Sequence, residues 1–263
     1  MAFDVVSWTT NVLWPKVWSP RTLVLLSLGV FHLKFKAFLG DDPGLRMAIS
    51  IFIFDMMIYN VLCLVFHGLF YDGGPLGKAH SAKKFNPRQP SAAMVAREFR
   101  RTQLNLAIGA AYDAACHHAL LSRGAAPPCS AAWSCLLFVL FFFWYDVHFH
   151  FTHRLLHWKP LWTRIHYIHH QSTNPDPWSA MSFHGVEGAL YFSCFLLALA
   201  RPLGASPAHF VFLVVLVTYT PLFGHLGFGV YGGSRTHYLH HTEKDVNFGA
   251  WFMVADIACG TLK

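Results

Sequence analysis

The sequence predicts an all-α integral membrane bundle of about four to six inserted helices, topped by a cytosolic helical cap rich in histidine. Three observations lead there. Of 263 residues, 54% are hydrophobic and only 13% charged, a balance too apolar for an ordinary soluble domain. Apolar runs approaching or reaching the ~20 residues that span a bilayer recur along the chain. Histidines gather in polar sequence at the ends of those runs, in the second half. The net charge of +7 is not arranged in the long basic blocks of a nucleic-acid arm, so it reads as membrane orientation and no nucleic-acid partner is expected.

Residues 1–20 carry Trp8, Trp14 and Trp18 with two prolines, which suits an interfacial segment, and they lack the charged start and cleavage site of a signal peptide. The first apolar run, 21–39, is interrupted late by His32, Lys34 and Lys36. The second, 47–70, contains a single acid, Asp55, for which pairing with His32 or Lys34 is expected. Residues 71–102 break the hydropathy with Gly73, Gly74, Pro75, Pro87 and Pro90 among seven basic residues, and read as a basic cytosolic loop. A weaker run follows at 103–121, where Asp113 and His117 share a helical face and His118 lies beside them. Such a pair has the spacing of a transporter metal site, although polar pairs between membrane helices are commonly structural.

A short SRGAAPPCS turn leads to the strong run 131–147. The last apolar pair, 189–200 and 206–224, is joined by RPLGAS, and its first member is short enough to be a re-entrant element. Counting crossings from the basic loop puts residue 148 and residues 225–263 on the same, cytosolic side. The chain therefore divides into membrane helices at 1–130 and a histidine-bearing region at 131–263. The six cysteines are scattered without a CxxC pair, which argues against a sulfur-based metal site; Cys129 and Cys135 are close enough to pair in an oxidising lumen.

The second half holds HRLLH (153–157), HYIHH (166–170), His184, His225 and HYLHH (237–241). On a helix, positions three or four apart share a face, so His153 and His157 stack, and the first histidine of each triplet can join either trailing one. Adjacent histidines diverge by about a third of a turn, so a trailing pair can serve two centres. Ten histidines (His153, His157, His166, His169, His170, His184, His225, His237, His240 and His241) suffice for two metals with about five ligands each. Imidazole suits iron, zinc, copper and nickel alike. None of the three glutamates, Glu98, Glu187 and Glu243, starts an ExxH, which excludes the carboxylate-bridged soluble bundle. No HExxH and no GxGxxG occurs either. His67 and His209 are read as ordinary hydrogen-bonded histidines.

The ordered pattern HxxxH, HxxHH, HxxHH resembles the integral-membrane fatty acid hydroxylase and sterol desaturase superfamily. Asp146, seven residues before His153, matches an acidic position of that group. DPWSAMSFHGVEGAL resembles the segment around another of its histidines, and NFGAWFMVADIACGT resembles its ending, with Asn247, Gly249, Asp256, Gly260 and Thr261 in step. The resemblance covers roughly residues 131–263 and is strongest to plant-type sterol desaturases acting at carbon 5. Gly185 stands where proline is usual, and Ala255 where tryptophan is usual before Asp256. His148 and His150 are additional to the pattern.

The resemblance implies an O2-dependent di-iron lipid oxidoreductase of the endoplasmic reticulum membrane, with histidine boxes facing the cytosol. It would draw electrons from NAD(P)H through a separate cytochrome b5-type donor. Its lipid, a sterol or an acyl chain, would enter from the bilayer. A sterol desaturase is the first expectation, and a sterol methyl oxidase or fatty acyl or sphingoid hydroxylase the second. A metal transporter or haem electron carrier is the reading from a different class; a transporter would hold ligands mid-membrane, and a haem carrier would need only two axial histidines. Metal-bound histidines usually donate their outer N–H to a carboxylate, carbonyl or water, and Asp146, Glu187 and Asp256 are the candidates for that part. The basic 71–102 segment is read as a topology signal before a docking face for the donor.

Overall fold

The computed structural model describes residues 20–40, 44–123, 130–230 and 234–263. The tryptophan-rich start and Cys129 lie outside the described residues. Eight principal helices follow in order: α1 (Pro20–Leu39), α2 (Leu45–Phe70), α3 (Ala92–Ser122), α4 (Ala131–Leu156), α5 (Gly185–Phe192), α6 (Pro207–Gly224), α7 (Ser234–Glu243) and α8 (Val254–Cys259). Short helical turns join them. Among the described residues no strand forms, and Lys84 and Phe228 make a lone antiparallel bridge.

Local signals set the ends of these helices. Gly40, at φ 81°, stops α1 in a left-handed conformation that other residues disfavour. The Ser91 and Ser130 hydroxyls accept the amides of Met94 and Trp133, capping α3 and α4. Ser206 and His209 form a reciprocal capping box ahead of Pro207 at the first turn of α6. The Ser91 cap also shortens the expected basic loop. Residues 92–102 are helical, and Arg101 reaches the Ile168 carbonyl and Gln171 from the third turn of α3.

Among the described residues four helices, α1, α2, α4 and α6, are long and apolar enough to cross a membrane. In α1, α2 and α4 only 22–28% of the spanning window is buried, whereas in α6 it is 72%. That contrast follows from sequence: α6 is apolar on every side, the mark of a central helix, while the others turn one face to lipid. α3 packs along α2, and α5 crosses α3 so closely that a Cβ on Gly188 would lie 2.1 Å from Asn105 Oδ1. The Asn105 amide donates to the carbonyls of Met181 and Phe183, tying the turn before α5 to α3.

The membrane half holds one buried polar cluster built from four helices. Lys36 Nζ on α1 donates to both Asp113 carboxylate oxygens on α3, at 2.6 and 2.9 Å. His32 Nε2 lies 2.7 Å from the Tyr219 hydroxyl on α6, and its Nδ1 3.8 Å from Asp55 on α2. Asp55 in turn hydrogen-bonds Asp113. Of the two partners expected for Asp55, His32 is the one that faces it, while Lys34 is exposed and Lys36, one helical turn from His32 on the buried face, binds Asp113. Asp113 is committed to this cluster, while His117 packs towards the Phe210 ring.

Candidate metal centre

The histidines are positioned by helix ends. α4 continues beyond its apolar run to Leu156, with His157 as its C-cap, so the His153 and His157 rings lie 5.2 Å apart. HYIHH begins on a π-helical turn, Trp162–His166, and finishes on a helical turn, Tyr167–His170; such wide turns recur at functional sites. His225 caps the C-terminus of α6, and HYLHH lies on α7.

Nine of these rings converge in two groups. His153, His157, His166, His170 and His240 form one, and His169, His225, His237 and His241 the other, with ligand atoms in each group all within 4.8 Å of one another. In the first, His153 Nε2 and His170 Nε2 each lie 3.1 Å from His166 Nε2, and His240 Nε2 lies 3.2 Å from His170 Nε2. In the second, His237 Nε2 is 2.7 Å from His225 Nε2 and 3.2 Å from His241 Nε2. The trailing pairs split between groups: His170 and His240 face one, His169 and His241 the other.

Five of the nine outer nitrogens are held by the protein, while His170 Nδ1 and His241 Nδ1 are buried without a hydrogen-bond partner. His153 Nδ1 meets the Phe248 carbonyl at 3.0 Å, His240 Nδ1 the Val246 carbonyl at 2.7 Å, and His169 Nδ1 the Ser182 carbonyl at 3.4 Å. His166 Nδ1 meets Glu187 Oε1 at 2.8 Å, and His225 Nδ1 the Ser179 hydroxyl at 2.8 Å. A neutral imidazole carries one N–H, so rings that donate it outward turn bare lone pairs towards one another. Between His153 and His166, whose outer nitrogens are both engaged, lone pairs about 3 Å apart with no proton between them repel, unless a cation fills the centre. The buried Nε2 of His157 also has no hydrogen-bond partner. These residues thus fit a bound transition metal in each group. Burial, reinforced by neighbouring imidazoles, pushes His157 down to about 3 and His170 to about 2. Burial likewise takes His237 to about 3. The rings therefore remain neutral, as ligation demands.

Three expected residues sit elsewhere. His184 lies outside both groups: as N-cap of α5, its Nδ1 accepts the Val186 amide, so its ring is occupied by a helix end. Asp146 holds backbone and no ligand ring. Its carboxylate accepts the amides of Trp251, Phe252, Met253 and Val254, a turn whose buried N–H groups need an acceptor. Asp256 accepts the amides of Phe248 and Gly249 and lies 3.2 Å from His150 Nδ1, a ring outside both groups. Its influence reaches the centre only through Phe248, whose carbonyl holds His153. A Cβ on Gly249 would stand 2.6 Å from Asp256 Oδ2, which explains the glycine. Glu187 alone of the three carboxylates touches a converging histidine.

Ser179 and the carbonyls of Phe248, Ser182 and Val246 were not legible as partners. Backbone carbonyls leave no residue signature, and a serine in PWSAM looks like any other. Both groups open on an apolar cavity. His153, His166, His169, His225 and His237 line it with Phe149, Leu156 and Phe183.

Residues 138–261 match the family model described as fatty acid hydroxylase. A Delta(7)-sterol 5(6)-desaturase of Gibberella zeae is 28% identical over 138 residues, covering 48% of this chain and 37% of that protein. A Delta(7)-sterol 5(6)-desaturase of Aspergillus fumigatus is 28% identical over 156 residues, 49% of each chain. The lathosterol oxidase of Mus musculus is 32% identical over 138 residues, covering 48% of this chain and 44% of its own. The match thus spans less than half the length of each of these relatives. No solved structure matches the chain. Residues 138–261, where the histidine boxes fold into two convergent groups, are thus similar to the fatty acid hydroxylase family.

Proposed function

We propose that this chain is a membrane-bound, non-haem di-iron oxidoreductase that desaturates a sterol with O2. The observation that carries the reading is the pair of nitrogen-only groups, five of whose nine rings are anchored at the outer nitrogen, opening together on an apolar cavity. The names of the relatives support a sterol and point to the bond between carbons 5 and 6.

In this reading His153, His157, His166, His170 and His240 hold one ion, and His169, His225, His237 and His241 the other. Two irons, when bound, supply the oxidising power drawn from O2 that breaking an unactivated C–H bond requires, with electrons from NAD(P)H delivered through a cytochrome b5-type protein. The chain's own residues do the rest. Glu187 fixes the tautomer of His166 and raises its basicity, Ser179 does the same more weakly for His225, and the Phe248 carbonyl orients His153. Phe149, Leu156 and Phe183 keep water away from the reacting carbon and hold the ring system by apolar contact. The histidine groups face the cytosol in the endoplasmic reticulum membrane, and the exposed basic residues between α2 and α3 lie where an acidic donor would approach.

Proteoliposomes containing the chain, cytochrome b5, its reductase and NADH, supplied with a Δ7-sterol, test the reading by mass spectrometry. A product two mass units lighter supports it. An alcohol, sixteen units heavier, assigns hydroxylation, the reaction for which the matching family is named. An unchanged sterol with both irons present overturns the sterol assignment.

A further inference from the structure

The three helices that carry the ligands into the cavity carry a second set of polar groups one level deeper. Tyr145 precedes His153 by eight residues on α4, about 12 Å along the axis, and Thr220 precedes His225 by five, about 8 Å. Tyr191 follows Glu187 by one turn on α5. All three side chains line the cavity. Their hydroxyls converge: Tyr145 OH lies 2.6 Å from Thr220 Oγ1 and 3.2 Å from Tyr191 OH.

The hydrogen-bond count in this cluster is uneven. Tyr191 donates its proton to the Val217 carbonyl at 2.5 Å, and Thr220 donates to the Leu216 carbonyl at 2.6 Å. Each hydroxyl brings one proton and two acceptor sites. With two protons given to backbone carbonyls, the third, from Tyr145, can bridge only one of the two oxygen–oxygen contacts. The cluster is rich in acceptor sites and lines an apolar cavity, so an O–H donor entering the cavity meets acceptors there. Among the described residues no lysine or arginine lines the cavity, so a carboxylate or phosphate would meet no counter-charge from them.

We propose that Tyr145, Tyr191 and Thr220 form a hydroxyl-reading site that selects a neutral, alcohol-bearing lipid and sets its depth against the histidine groups. This inference rests on the lipid-oxidation reading above and adds to it the group by which the substrate is recognised. The three residues are positioning residues. They lie some way from the histidine nitrogens, so they fix which carbon faces the centre by anchoring the far oxygen. A purely structural role, in which the hydroxyls only tie α4, α5 and α6 together, would leave affinity indifferent to the ligand's own hydroxyl.

The experiment uses the full chain in lipid nanodiscs loaded with zinc, so that binding is read without turnover. The probes are a Δ7-sterol with its free 3-hydroxyl and the 3-O-methyl ether of the same sterol, which keeps the oxygen but cannot donate. The wild type should bind the alcohol at least about tenfold more tightly, the effect of one buried hydrogen bond left unmade. Tyr191→Phe and Thr220→Val should bring the ratio towards one, with zinc content unchanged. Equal binding of the two probes by the wild type, or binding of neither, overturns the site, and so does an alcohol advantage that survives in both variants. If either variant loses zinc and is judged misfolded, Tyr145→Phe is read on the same terms. A chain that prefers the alcohol yet leaves it unoxidised under full electron supply retains this site and overturns the proposed reaction, so the two failures are distinguishable.

Discussion

Inside the bundle, Lys36 donates to Asp113, His32 meets Tyr219, and Asp55 closes the contact with Asp113, so that a cation faces its anions and donors face acceptors. At the end of the bundle, nine imidazoles converge around two centres, five of them with the outer nitrogen engaged by the protein, and no lysine or arginine is among them. Both clusters are buried, and His32, Asp55 and Asp113 also bring ligand atoms within 4.8 Å of one another. Proximity of ligand types therefore does not separate them. Charge balance does: a metal at Asp113 would have to displace Lys36, whereas a metal among the histidines relieves repulsion that nothing else relieves. One cluster is a closed structural tie between helices, and the other is an open receptor for cations.

The sharpest way to break this contrast is to remove one ring from each histidine group. His240→Ala and His169→Ala should each abolish turnover and lower bound metal from about two ions to about one per chain, while the protein stays in the membrane. Full activity with metal retained in both variants would remove the basis of the assignment. Lys36→Met should act in the opposite sense. It leaves the Asp113 carboxylate buried without its cation, at about 3–5 kcal/mol of stability, yet folded molecules should keep both metals. Adding Asp113→Leu should recover much of that loss. Thermal unfolding in detergent, with metal analysis of the folded fraction, reads both quantities.

Glu187→Gln sharpens the account of how the ligands are oriented. It keeps an acceptor for His166 but takes away the charge, and metal affinity should fall about 10- to 100-fold in a chelator competition. Unchanged affinity would show that His166 needs no such partner. The smallest effect belongs to Glu98. Burial, followed by the charge of Asp176, pushes its carboxyl up to about 8, so it keeps its proton at neutral pH, and Glu98→Gln, which mimics the protonated acid, should change stability by no more than about 0.5 kcal/mol when measured near pH 4. Because the folded value lies above the unfolded 4.5, this group lowers wild-type stability as pH rises from 4.5 to about 8, and the glutamine variant should lose that slope.

Much of this arrangement can be read from the sequence, and the unreadable part has a physical pattern. The apolar runs mark α1, α2, α4 and α6 because span length and hydropathy are local properties. The HxxHH spacing likewise marks the rings, because helical periodicity decides which residues share a face. Orientation is not local. Asp146 and Asp256 sit where a carboxylate partner for histidine was expected, but whether an acid faces an imidazole or a turn of amides depends on how α4 meets residues 247–256. His184 carries the right residue type in a family-like segment, yet the backbone places it at a helix start. His32 faces Asp55 as expected, but that Lys36 on the same face would bind Asp113 depends on how α1 meets α3. The helical start of α3 at Ala92 hides behind the basic composition of 71–102.

The central claim is that the histidine groups bind metal and the membrane cluster does not. The direct test is metal content per chain of the purified protein by inductively coupled plasma mass spectrometry, with an absorption spectrum of the same sample. The account predicts about two irons per chain and no Soret band, with the number unchanged when Asp55 is replaced by asparagine. No metal, haem alone, or a loss of metal on Asp55→Asn would contradict it.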